Sequence, residues 1–86
     1  MSDLNEKFEQ AAVDVKTLTS RPSNEDMLAL YANFKQASKG DVSGKRPGML
    51  DMINRAKYDA WAELKGTTSD NAKQNYIDTV NRLLGR

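Results

Sequence analysis

The chain has 86 residues, a net charge of +1, no cysteine and no histidine. One domain over residues 1–86 is the expectation at this length, and disulfide frameworks, thiol nucleophiles and Cys- or His-based metal sites are excluded. Histidine-dependent acid–base chemistry is excluded too, so an enzyme is not expected.

The opening segment MSDLNEKFEQ is acidic and polar, the opposite of a secretion signal. No apolar run approaches the ~20 residues that cross a bilayer. A soluble, cytoplasmic protein without stable membrane insertion is expected. Leu4, Phe8, Ala11, Ala12, Val15 and Leu18 recur at helical spacing and predict a first helix over about 4–18. Ser23, with Asp26 three residues on, is a good N-cap for a second helix over 24–39, in which Met27, Leu30, Phe34 and Ala37 form an apolar stripe. Gly40 closes it.

Residues 40–52, GDVSGKRPGMLDM, show no sustained period. A loop of about 13 residues inside a small domain is uncommon and tends to be functional. Ile53, Ala56, Lys57, Ala60, Trp61 and Leu64 predict a third helix over 53–65, ended by Gly66. Thr67 or Thr68 caps a fourth over 69–84, with Ala72, Tyr76, Ile77, Val80, Leu83 and Leu84 on one face. No segment alternates with the period of a strand. The fold class is all-α, a four-helix bundle. The first and third connections are short and predict antiparallel neighbours. The middle loop reaches up to about 43 Å, against about 22 Å for a 15-residue helix, so it can return along the bundle and let helices two and three point the same way.

Charge is unevenly placed. Residues 35–57 carry six basic and two acidic side chains, and the remainder carries seven basic and ten acidic. A local positive region on a nearly neutral chain suits a compact polyanion better than nucleic acid. Leu28, Tyr31 and Lys35 stack on one ridge of the second helix, Ile53, Lys57 and Trp61 on one of the third, and Phe8, Ala12 and Lys16 on one of the first. Lysine stems lying on a core edge give this pattern, and so does a groove with an apolar floor and a cationic rim. Such a groove suits an amphiphile with a phosphorylated head, which an aromatic face could stack.

Tyr31-xx-Phe34-Lys35-Gln36-Ala37-xx-Gly40-Asp41, Arg46-Pro47-Gly48-Met49 and Ala56-Lys57-Tyr58-x-Ala60-Trp61-xx-Leu64-Lys65-Gly66 together resemble the acyl-CoA-binding protein family. Phe8, Ala11-Ala12, Pro22, Met27-Leu28 and Tyr76-Ile77-Asp78 extend the resemblance over nearly the whole chain. It implies an up-down-down-up bundle with a long crossover between helices two and three. It implies a monomer that binds one long-chain acyl-CoA ester of the palmitoyl-CoA type, performs no reaction and needs no cofactor. Such a protein carries and buffers acyl-CoA, meeting acyl-CoA-using enzymes transiently.

Carried over by position, the resemblance puts Lys35 and Lys57 on the phosphates at the 3′ end of the CoA head, with the Tyr31 hydroxyl beside them. It puts Phe34 on the adenine, near Ala12 and Lys16. Tyr76 falls near the pantetheine and acyl chain, and Met27 and Leu28 along the acyl groove. Three positions depart from the family pattern: Phe34 for Tyr, Tyr58 for Trp and Ile53 for Lys. Slightly weaker affinity is the expected result. Periodicity alone instead puts Phe34 in the core, with Phe8 and Trp61, and Arg46 to Met49 shape the loop turn. The alternative function is a helical module whose apolar groove takes a partner helix.

Overall fold

The computed structural model describes residues 3–86; Met1 and Ser2, the first positions of the expected domain, lie outside the described residues. Four helices follow in order: α1 (Asp3–Asp14), α2 (Asn24–Lys39), α3 (Met52–Ala62) and α4 (Ser69–Leu83). Among the described residues there is no strand.

The helix ends follow from local chemistry. The Asp26 amide donates to Ser23 Oγ at 3.1 Å, and the Asn71 amide donates to Thr68 Oγ1 at 3.1 Å. Each hydroxyl satisfies one of the amides that a helix start leaves without a carbonyl. Thr68, rather than Thr67, is therefore the cap of α4. Gly40 closes α2 at φ 81°, a conformation that costs most side chains energy, while its amide bonds Gln36 O at 3.1 Å. Two ends differ from expectation. The first helix gives way to a 3-10 turn over Val15–Thr17, where the Thr17 hydroxyl donates to Asp14 O at 2.6 Å. The third ends at Ala62, not residue 65: Leu64 and Lys65 donate to carbonyls three residues back, which tightens the chain before Gly66.

Bonds between helices set their directions. Lys73 of α4 donates to Asn5 early in α1, and Arg86 pairs with Asp14 at the end of α1, so α1 and α4 run the same way. Ser69 Oγ donates to Ala37 O and Arg82 pairs with Asp26, which makes α4 antiparallel to α2. Trp61 Nε1, late in α3, donates to Gly40 O at the end of α2 at 2.8 Å, while the starts of these helices flank one groove. They are parallel, and the order is up-down-down-up. The crossover loop is pinned to α3 by the two-pronged Arg46–Asp59 pair, at 2.8 and 2.7 Å, and by Tyr58 Oη donating to Gly44 O. The Arg46 guanidinium holds the Asp59 carboxyl below its ordinary 3.8.

The closest packing is α2 against α4, with α1 laid on α4 and α3 on α2. The Cα envelope is accordingly a slab, 37 × 31 × 15 Å. Ala11, Tyr76, Ile77 and Val80 form the core, with Leu4, Phe8, Val15, Leu30 and Leu84 against it. Burying each large side chain of this kind contributes about 1.5–3 kcal/mol. The buried face of α2 follows the apolar stripe that spacing predicts only in part, at Ala37, with Leu30 packed against the core. That face is Ala32, Asn33, Gln36 and Ala37, while Met27 and Phe34 are exposed at its edge. Two amides replace two apolar side chains because both find partners. Asn33 Nδ2 donates to Ala29 O, and Gln36 Nε2 donates to Asp41 Oδ1 and Thr67 O. Hydrogen bonding offsets the cost of burying them, and Met27 and Phe34 keep part of their surface in solvent.

Candidate functional site

A groove of about 590 Å³ lies between the first halves of α2 and α3. Met27, Leu28, Met52, Ile53 and Ala56 give it apolar walls, Tyr31 and Lys57 stand at one end, and Arg21 and Asn24 at the other. Among the described residues no carboxylate lines it. The parallel course of α2 and α3 creates this arrangement, because it brings the Leu28-Tyr31-Lys35 ridge beside the Ile53-Lys57-Trp61 ridge.

Two cations meet over one aromatic ring at the Tyr31 end. Lys35 Nζ is 5.7 Å from the Tyr31 ring centre and Lys57 Nζ is 5.4 Å from it. Lys35 Nζ is also 5.7 Å from the Trp61 ring. Ring faces attract cations, so Tyr31 and Trp61 hold the ammonium groups in place. Among the described residues neither ammonium is in an ion pair. Two positive charges thus border one ring and, among the described residues, have no ion-pair partner, which favours a multiply charged anion beside it.

Phe34 belongs to a neighbouring aromatic cluster. Its ring is 5.4 Å from Phe8 and 5.8 Å from Tyr76, and Phe8 lies 5.2 Å from Tyr76 edge to face. With 41 % of its surface exposed, Phe34 rests on the core and also presents apolar surface to solvent. The structure thus bears out the core reading of this residue and leaves one side of its ring exposed.

Met27, Leu28, Tyr31 and Lys57 line the groove, and Lys35 joins them through Tyr31. Phe34, Tyr76 and Ala12 belong to the aromatic edge of the core and not to the groove. Tyr76 is buried, and burial pushes its hydroxyl above the usual 10.0. Lys16 is exposed in the 3-10 turn, and among the described residues it joins neither group by a hydrogen bond, ion pair or ring contact. Sequence reasoning missed Arg21, which lies at the far end of the groove and donates to Asn24 Oδ1 at 3.0 Å. Its place beside Pro22, just ahead of a helix cap, was the available signal. The second role of Trp61, as a seat for Lys35, was missed because its apolar ridge reads only as core. A smaller cavity of about 370 Å³ lies behind Met27, between the first connection and Leu30.

Comparison with known proteins follows the same lines. The family model described as acyl CoA binding protein matches residues 5–80. The acyl-CoA-binding protein of Brassica napus is 51% identical over 81 residues, which cover 94% of this chain and 88% of the relative. An acyl-CoA-binding protein homolog of Drosophila melanogaster is 47% identical over 83 residues, 96% of both chains. Among solved structures, Oryza sativa acyl-CoA-binding protein 2 superposes with a TM-score of 0.92 at 43% identity, covering 95% of this chain and 89% of that one. The protein from Moniliophthora perniciosa gives 0.88 at 36% identity, covering 99% and 82%. A match that runs through every helix and both lysine ridges places the chain in the acyl-CoA-binding protein family.

Proposed function

We propose that this chain binds long-chain acyl-CoA esters, one per monomer, and acts in the cytoplasm as a carrier and buffer of their pool, without catalysing a reaction. One observation carries the reading: Lys35 and Lys57 converge on Tyr31 at the end of an apolar groove that no carboxylate lines among the described residues. In this assignment the two ammonium groups and the Tyr31 hydroxyl receive the phosphates at the 3′ end of the CoA head. The exposed side of Phe34 stacks on the adenine, with Ala12 and Lys16 nearby. Tyr76 packs against Phe34 and, in this assignment, lies toward the pantetheine and acyl chain. The acyl chain follows Met27 and Leu28, where each methylene removed from water contributes about 0.8 kcal/mol. Ile53, which stands where the family pattern has Lys, adds apolar wall and leaves the head-group charge to the two lysines.

Calorimetric titration of delipidated protein with palmitoyl-CoA, below its micelle concentration, tests this. CoA and palmitate are titrated separately. Tight one-to-one binding of the ester with much weaker binding of either half is the expected outcome. Absence of ester binding overturns the reading and returns the groove to a protein partner.

A further inference from the structure

Seven large apolar side chains are exposed among the described residues, and four of them are Met49, Leu50, Met52 and Ile53. Isolated exposed hydrophobes are ordinary, but four within five consecutive positions form a patch that calls for a partner. The patch projects. Met49 and Leu50 form the tip of a turn closed by the Asp51 amide on Gly48 O at 3.1 Å, and Met52 and Ile53 begin α3. The Arg46–Asp59 and Tyr58–Gly44 bonds anchor the loop behind the tip, so it is held out from the body. Leu50, at 101 % exposure, makes no use of its surface within this molecule.

The surroundings identify the occupant. Between residues 45 and 59 there are four basic side chains, Lys45, Arg46, Arg55 and Lys57, against Asp51 and Asp59, the latter paired with Arg46. A partner helix seeks an apolar groove. A convex apolar tip with basic flanks instead fits a soft, negatively charged surface into which it can sink. The patch is also continuous with the groove: Met52 and Ile53 line it, while Met49 and Leu50 do not. We infer that residues 49–53 are a docking wedge for an anionic lipid surface, inserted shallowly and reversibly, which sets the mouth of the groove against the membrane. An amphiphile could then pass between bilayer and groove with little exposure of its tail to water. The inference rests on the carrier reading for its use, but its test needs no acyl-CoA.

The test is co-sedimentation of ligand-free protein with vesicles of phosphatidylcholine alone, or of phosphatidylcholine with phosphatidylserine. Wild type, Met49→Ser/Leu50→Ser and Val13→Ser are compared, the last removing an exposed hydrophobe on α1. Wild type and Val13→Ser are expected to bind the phosphatidylserine vesicles alike, more weakly as salt rises. The double variant is expected to bind at least about tenfold more weakly, with an unchanged circular dichroism spectrum and unchanged palmitoyl-CoA titration in the absence of vesicles. Equal vesicle binding by wild type and double variant, or none by wild type, overturns the inference. So does self-association of wild type that the double variant abolishes, which would make a second copy the occupant. Failure of the palmitoyl-CoA titration bears on the carrier reading alone.

Discussion

Lys35 and Lys57 hold their ammonium groups 5.7 and 5.4 Å from the centre of one ring, that of Tyr31. The two lysines come from different helices, and the parallel course of those helices brings them together. Charge-assisted hydrogen bonds contribute about 1.5–3 kcal/mol each, so Lys35→Ala and Lys57→Ala should each weaken palmitoyl-CoA binding by about tenfold or more. The free protein should lose little stability, because neither ammonium is in an ion pair among the described residues. Calorimetric titration and thermal melts measure both. Wild-type affinity in both variants would remove the phosphate assignment.

Phe34 separates binding from folding. Stacking on a base contributes about 1–3 kcal/mol, so Phe34→Ala should weaken ester binding by about tenfold or more. Its contacts with Phe8 and Tyr76 predict an accompanying stability loss of about 1–3 kcal/mol, since each aromatic pair adds about 0.5–1.5. Phe34→Leu should recover most of the stability and little of the affinity. Equal recovery of both would make Phe34 a packing residue only.

Gln36 ties the end of α2 to the turn before α4. It is 1 % exposed, its Nε2 serves Asp41 and Thr67 together, and its Oε1 has no partner among the described residues. Gln36→Ala should cost about 2–4 kcal/mol, from a cavity and a stranded Thr67 carbonyl, read as a shift in the urea midpoint. A loss well under 1 kcal/mol would show that water replaces the amide freely.

Asp41 predicts an acid limb in stability. The Gly66 amide at 2.8 Å, and then Gln36, hold its carboxyl below the ordinary 3.8. Asp14 and Asp26 are lowered in the same sense by Arg86 and Arg82. A carboxyl lowered in the folded state contributes stability that is full above its unfolded value and is lost as pH falls through the folded one. Stability should therefore be flat above about pH 5 and fall below about pH 4. Asp41→Asn keeps the hydrogen-bond acceptor without the charge, and should flatten that limb in a pH series of urea melts. An unchanged limb would assign it to the other lowered carboxyls, Asp14, Asp26 and Asp59.

Helix positions, the long crossover and the two lysine ridges were legible in the chain because each rests on local spacing or loop reach. The buried face of α2 was legible only in part: Ala37 is buried and Leu30 packs on the core, as spacing predicts. A pattern that counts apolar residues selects Met27 and Phe34, whereas burial went to Asn33 and Gln36, whose partners Ala29, Asp41 and Thr67 become evident only once the helices are in place. Arg21 escaped notice for the same reason: its role comes from α3 lying opposite. Phe34 was legible as a core residue, and the structure packs it on Phe8 and Tyr76 with part of its ring exposed.

The seat of Lys35 on Trp61 has a practical consequence. Trp61 is the single indole of the chain, 7 % exposed, with its N–H fixed on Gly40 O at 2.8 Å. A cation 5.7 Å from its ring imposes a local electric field on the chromophore. An anion arriving at Lys35 cancels much of that field without touching the indole. The emission wavelength of the unlabelled protein should therefore shift as an anion fills the cationic end of the groove.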